Sequence, residues 1–480
     1  VSTATGDPST ALSRRVAGNR IVDGAVYGLF GLFLALVVVA HTTDTVLAWQ
    51  LSVAAIVLGV ILGARLAVAT YRESQHRQAA LLSVLGIAFA LLGLVYQTSS
   101  PGFGFGPNRA FAIVLAFALT VSYVLVVGDA RRFTARQWAA VGCFAVLTGL
   151  YLAHTLAFVP SSSQSRWPIW AATLMGSGLF VIPRLVPERA FLWLLAQLAA
   201  LVVLAGLATY AVGEYSLWIF EVGQYPASSP SVPGIDPDVP TLRSIFPNPN
   251  GLGLVAFGGF VAAVVEFHRT VVARRPLGAT AAGVLAAVCG LGLFLSNARA
   301  AMLAAAVAVG IYGTSVAVGR RAVPIAVVGS VLAVAGVLAG MAVGAVDVTA
   351  SGRFELWAAS LRAIVDGPLL FGHGSGPPSV AIEPYLAGDA APTPHNSYLA
   401  VFVQTGLVGG LAYVGLVAGS VATATLDYRR VDVAMLALAV GWAIHQFFES
   451  YTLFDWSIGA VLATAAIGYL LFGRRTEPTR

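Results

Sequence analysis

The chain has 480 residues, of which 58% are hydrophobic and only 10% charged, with a mean hydropathy of +0.84. Soluble domains carry about 25% charged residues, so a soluble globular enzyme is excluded. The net charge of +6 comes from 27 basic and 21 acidic residues, and every basic residue is an arginine. In a lipid-dissolved chain such a balance reports orientation in the membrane, and no nucleic-acid partner is expected.

Apolar runs fall near 24–40, 46–64, 79–96, 110–128, 137–159, 167–183, 188–212, 250–268, 276–295, 298–318, 323–345, 397–419, 432–448 and 456–472. Runs of about 20 residues fit helices that cross a bilayer. A barrel would instead show strands of about 10 residues with alternating polarity. The expected fold is all-α: a polytopic membrane helix bundle of about 14 spans (12–14). The polar N-terminus leads directly into further spans, so no cleavable signal peptide is expected. Cys143 and Cys289 both lie in apolar runs and offer no disulfide framework or metal-ligand spacing.

The arginines set the orientation. Twenty-one of them fall in alternate loops and six in the others: Arg109, Arg166, Arg243, Arg299, Arg353 and Arg362. By the positive-inside rule the termini are cytoplasmic. The expected organisation is a tail at 1–23, transmembrane helices at 24–212 and an extracytoplasmic loop at 213–249. Further helices follow at 250–345, a large extracytoplasmic loop at 346–396, helices at 397–472 and a tail at 473–480. The two outward loops are rich in Pro, Gly and Ser, and loops of this length are usually functional.

Arg109 and Arg166 sit at span ends, where long cations snorkel to the headgroups. The other outward arginines stand in patterned surroundings. Arg243 precedes Ser244-Ile245-Phe246-Pro247-Asn248-Pro249-Asn250-Gly251. This run reads as a turn capped by Asn250 or as an anion site near a helix N-terminus. Arg299 occupies the tight turn Ser296-Asn297-Ala298-Arg299, close to the membrane surface and suited to a lipid-linked phosphate. Arg353 opens Ser351-Gly352-Arg353-Phe354-Glu355-Leu356-Trp357, with Ser351 a candidate cap. Phe354, Trp357, Leu361 and Ile364 recur at helical spacing, which predicts a short amphipathic helix on the outer surface. The helix dipole disfavours a cation in its first turn, so Arg353 calls for a reason that Arg362 does not.

Two further segments follow. Phe371-Gly372-His373-Gly374-Ser375-Gly376 could wrap a phosphate with backbone N–H groups. Pro394-His395-Asn396-Ser397-Tyr398 stands directly before a span. His154 and His445 fall inside spans, and Glu266 and Glu449 near the ends of theirs. Arginine suits bidentate phosphate binding, and a nearby histidine is a natural general base. Together they suggest transfer from a diphosphate donor to a hydroxyl without a metal or other cofactor.

The order Arg…Pro-Asn-Pro-Asn-Gly, Ser-Asn-Ala-Arg, Gly-Arg-x-x-x-Trp, Gly-x-Gly-x-Gly and His-Asn-Ser-Tyr-Leu resembles the O-antigen ligase / O-antigen polymerase superfamily over about residues 240–420. The resemblance implies an extracytoplasmic membrane glycosyltransferase. Its donor would be a polyprenyl-diphosphate-linked glycan, and its acceptor a hydroxyl of a glycan, glycolipid or protein. It implies that Arg299 and Arg353 bind the diphosphate and that His395 activates the acceptor. Arg243, Asn250, Trp357, Gly372, Gly374 and Asn396 are the candidate substrate contacts. A transporter or flippase of lipid-linked glycans is the rival, but its midplane charges have few candidates here.

Overall fold

A computed structural model describes residues 133–158, 175–217, 220–226, 240–344, 352–386, 393–451 and 457–473, with scattered residues between 28 and 68. The expected spans at 79–96 and 110–128 lie outside the described residues, as do Arg109, Arg166 and Ser351.

In chain order the elements are α1 (Ala135–Phe158), a π-turn (Ser177–Val181) running into α2 (Ile182–Leu185), α3 (Glu188–Val212), β1 (Tyr215–Leu217), β2 (Phe220–Tyr225) and β3 (Thr241–Ser244). Then come α4 (Pro249–Val272), α5 (Pro276–Leu295), α6 (Arg299–Ala317) and α7 (Val323–Ala342). The last are α8 (Arg353–Asp366), α9 (Pro378–Ile382), α10 (Ser397–Leu426), α11 (Val433–Phe448) and α12 (Ile458–Phe472). Among the described residues seven helices are long and apolar enough to cross a membrane, and α11 and α12 are shorter apolar helices. Helices dominate because lipid leaves every backbone polar group to be satisfied within its own segment.

Local chemistry sets the helix starts. Pro249 and Pro276 take first-turn positions that need no N–H donor. Asn248, Asn396, Asp432 and Ser457 each accept an orphan N–H at a helix start. This corrects the expected cap at Asn250. The proline at 249 opens α4, so the side chain that reaches Gly251 N is that of Asn248, and Asn250 lies in the first turn.

The chain divides into two compact units, one containing Ile182–Ala298 and the other Phe105–Val181 with Arg299–Arg480. In the first, α4 packs against α3 and α5. Small residues allow close approach: at Gly259 an added Cβ would overlap Ala199, and at Gly292 it would overlap Val203. The loop after α3 forms a three-stranded antiparallel sheet, β1-β2-β3, so the fold is mostly helical and not purely so. The strands are held by their own helices. Ser244 Oγ donates to Val202 O at 2.6 Å and Tyr215 OH to Ala205 O at 2.6 Å. At the other end of the unit, Glu266 is fully buried between Arg189 (3.1 Å) and Arg269 (3.0 Å).

In the second unit, α10 packs with α1 and α11, α6 with α11, and α12 with the π-turn. Helix α10 is broken at Gly406, with φ 63° and ψ −161°. The loop 368–374 fills the break. His373 N donates to Val403 O at 2.9 Å and Gly374 N to Gln404 O at 3.0 Å. In return Leu407 N donates to Leu369 O at 2.8 Å and Val408 N to Leu370 O at 3.2 Å. Backbone groups freed by the kink are thus re-satisfied, as an apolar bundle requires. Gln404 secures the patch, donating to Gly376 O (2.9 Å) and accepting from Tyr151 OH (2.7 Å).

Gly406→Ala should therefore destabilise this unit. A Cβ there would overlap the Leu370 carbonyl, and the backbone conformation is open almost only to glycine. The expected loss is about 2–3 kcal/mol, read as a lower melting temperature in detergent. Gly419→Ala on the same helix, where a Cβ meets nothing within 4 Å, is the control and should leave melting unchanged.

Candidate active site

Helix α8 begins at Arg353, preceded by Gly352 in the left-handed region (φ 74°). Its buried face is Ala359, Ser360, Ala363 and Ile364, with Ala359, Ala363 and Ile364 clustered with Ile382 and Val403. Of the expected apolar stripe, Ile364 is buried, Phe354 and Trp357 are half-buried and Leu361 is exposed. Small side chains face the bundle because α8 docks on α10 and α9, leaving the bulkier Leu361 outside. Arg353 Nη2 reaches Glu449 Oε1 at 3.0 Å, and the guanidinium lies 5.9 Å from the Phe448 ring centre.

Glu449 closes α11 in extended conformation, its side chain only 12% exposed. Its second oxygen, Oε2, lies 3.6 Å from His395 Nδ1. That is a charge contact, longer than a hydrogen bond. One carboxylate thus faces both the arginine and the histidine picked out by sequence. Burial by itself would push the Glu449 carboxyl up. The His395 imidazole, with His445 and Arg353 close by, outweighs this and holds it below the usual carboxylate range.

His395 adopts φ 45°, a left-handed conformation that is uncommon outside glycine but more frequent for histidine than for bulky residues. Its neighbours fix it. Asn396 is buried and caps α10 through Leu399 N (3.0 Å), and its own N–H donates to Ser450 Oγ at 3.2 Å. Ser397 Oγ lies 2.6 Å from Glu449 O and 2.7 Å from Tyr451 O, and accepts from Tyr451 N at 3.0 Å. Residues 396–397 and 449–451 are laced together, which places Glu449 beside His395.

Arg299 is the first residue of α6, reached through a turn in which Asn297 has φ 51°. It lies near enough to Arg353 for the two like charges to repel. Arg299, Arg353, His395 and Glu449 all belong to the second unit. Two guanidinium groups in one neighbourhood offer planar N–H donors of the kind that suit an anion.

The other candidates take varied places. Trp357 stands in an aromatic cluster, its ring 5.5 Å from Phe354, 5.2 Å from Phe447 and 6.4 Å from Phe448. Since Phe448 also lies against Arg353, this cluster walls one side of the site. Gly372 and Gly374 do have positive φ, and three successive N–H groups of the loop, at 372–374, are already engaged within the protein. Gly372 N donates to Pro368 O at 2.7 Å, and the next two donors patch the break in α10. Asn396 uses its side-chain oxygen as a cap.

Arg243 and Asn250 belong to the first unit. All three Arg243 nitrogens are engaged there: Nε with Gln224 O (2.9 Å), Nη1 with Phe246 O (3.2 Å) and Nη2 with Glu214 Oε1 (3.5 Å). Its guanidinium clasps the strands, a role that the local sequence did not foretell. The residue that sequence reasoning passed over is Glu449. An acid placed just after an apolar run is its only signal.

The helices and the apolar surface define a multi-pass helical membrane protein. Residues 284–414 match the family described as O-antigen ligase. The matched stretch, a little over a quarter of the chain, contains Arg299, Arg353 and His395 but not Arg243, Asn250 or Glu449. No curated protein matches the chain.

Proposed function

We propose that the protein is a membrane glycosyltransferase of about 14 spans, with cytoplasmic termini and an extracytoplasmic site. It transfers or polymerises glycan from a polyprenyl-diphosphate-linked donor onto an acceptor hydroxyl of a glycan, glycolipid or protein. Arg299 and Arg353 bind the diphosphate. The acceptor oxygen attacks the anomeric carbon, and the bond from that carbon to the diphosphate breaks. The electron pair leaves on the diphosphate, and His395 takes the hydroxyl proton. Attack opposite the leaving group inverts the anomeric centre. The reaction needs no metal in this scheme.

The observation that carries this reading is the juxtaposition of Arg353, His395 and Glu449 within one unit, with Arg299 near enough to repel Arg353. Paired guanidinium groups aimed at a leaving diphosphate act by electrostatic stabilisation, often the largest catalytic effect. The half-exposed imidazole beside them is placed for proton transfer.

The test is the fate of the carrier-linked glycan in cells whose only copy is Arg299→Ala. Loss of the finished glycan is expected, with carrier-linked glycan accumulating where a glycosidase added to spheroplasts can digest it. Accumulation protected from external enzyme until the membrane is broken would point instead to a flippase.

A further inference from the structure

We infer that Glu449 is a positioning residue: one carboxylate oxygen fixes His395 as the tautomer that can act as a base, while the other holds Arg353 beside it. The inference rests on His395 being the base, and extends that reading to a residue outside the family match.

The His395 side chain is 41% exposed, yet its Nδ1 is buried and hydrogen-bonds to nothing among the described residues. The exposure therefore belongs to the rest of the ring, the edge that carries Nε2. The polar atom facing Nδ1 is Glu449 Oε2 at 3.6 Å. An ionised carboxylate only accepts. A neutral imidazole carries one N–H, and what faces each nitrogen decides which one holds it. Nδ1, shut away from water and turned to a carboxylate, keeps the proton. Nε2 is left with its lone pair toward solvent, where an acceptor hydroxyl would approach. When Nε2 takes a proton, the same carboxylate stabilises the imidazolium, the role an orienting acid plays in a nucleophile–base–acid triad.

The carboxylate has little freedom to do otherwise. The lacing of residues 396–397 to 449–451 fixes its backbone next to His395. Its Oε1 is occupied by Arg353 at 3.0 Å. Oε2 is thus the oxygen offered to the imidazole. This arrangement gives the near-isosteric change Glu449→Gln a particular consequence. The amide oxygen goes to the cation, because Arg353 only donates. The amide NH₂ is then turned to His395 Nδ1, which must become an acceptor, and the proton moves to Nε2.

The experiment is ¹⁵N NMR of the full chain in lipid nanodiscs, labelled at its seven histidines, at a pH where His395 is neutral. The His395 signals are assigned by their loss in His395→Ala. The parent should carry its proton on Nδ1, and Glu449→Gln should carry it on Nε2. Binding of farnesyl diphosphate, a short soluble polyprenyl diphosphate, is measured alongside by calorimetry. It should survive in Glu449→Gln and be lost in Arg353→Ala. A parent with its proton on Nε2 overturns the inference whatever the variants do. An unchanged tautomer in Glu449→Gln also overturns it, and if diphosphate binding is lost as well, Glu449 is only an anchor for Arg353. Failure of the underlying reading is separate: it would show as product formed at the parent rate by His395→Ala, whichever tautomer is found.

Discussion

His395→Ala should lower turnover by about 10²–10⁴-fold, the usual worth of a general acid–base group, while diphosphate binding persists. The two effects separate because the arginines hold the leaving group and the histidine acts only on the acceptor proton. His395→Asn is the stricter variant. The backbone at this position has φ 45°, which asparagine tolerates better than alanine, and its side chain cannot carry the proton. It should fold like the parent and turn over no better than alanine. The measurements are product formation and farnesyl diphosphate binding for variants purified into nanodiscs, with melting temperature as the check on folding. Product at near the parent rate would reduce His395 to the residue before a helix cap. The base would then be sought in Glu355 or Asp366, both exposed on α8.

How far the sequence carried the site depends on how local each signal is. Arg299, Arg353 and His395 were legible because each stands at a helix start in a recognisable run, where orientation and capping rules make it unusual. Glu449 was not legible as a partner. Its position beside His395 depends on hydrogen bonds between segments 52 and 54 residues apart, and nothing near Glu449 in sequence announces that pairing. The structural role of the glycine-rich loop was hidden for a related reason. Its glycines are required by positive φ, but the N–H groups of His373 and Gly374 go to a helix broken at Gly406. That break has no proline to announce it. Arg243 likewise looked like an anion site until strands β2 and β3, too short and bulged to show a period of two, placed carbonyls around it. Helix starts and apolar faces are written in neighbouring residues. Ion-pair partners and helix repairs are written only in the packing.

Arg353→Lys keeps the charge, and should still cost about 10²–10³-fold in turnover, the scale seen when one preorganised transition-state donor is removed. Two features of the site argue for so large an effect. The guanidinium offers five N–H donors in a rigid fork. Nη2 is engaged by Glu449 at 3.0 Å, and the guanidinium carbon lies over the Phe448 ring, 5.9 Å from its centre. The remaining donors are therefore held in fixed directions, available to a diphosphate oxygen without releasing the carboxylate. A lysine ammonium is a compact point charge. Beside Glu449 it would be captured by the nearer anion and could serve the diphosphate only by giving up that pair. The like-charge pressure between Arg299 and Arg353 would remain, but the geometry that turns it toward a bound diphosphate would not. Arg362→Lys is the matched control, on the same helix and exposed; there the change should be nearly silent. Turnover of both variants, compared at equal amounts of folded protein, decides the matter. Equal tolerance of lysine at the two positions would mean that Arg353 contributes charge alone, and that the fork has no part in holding the leaving group.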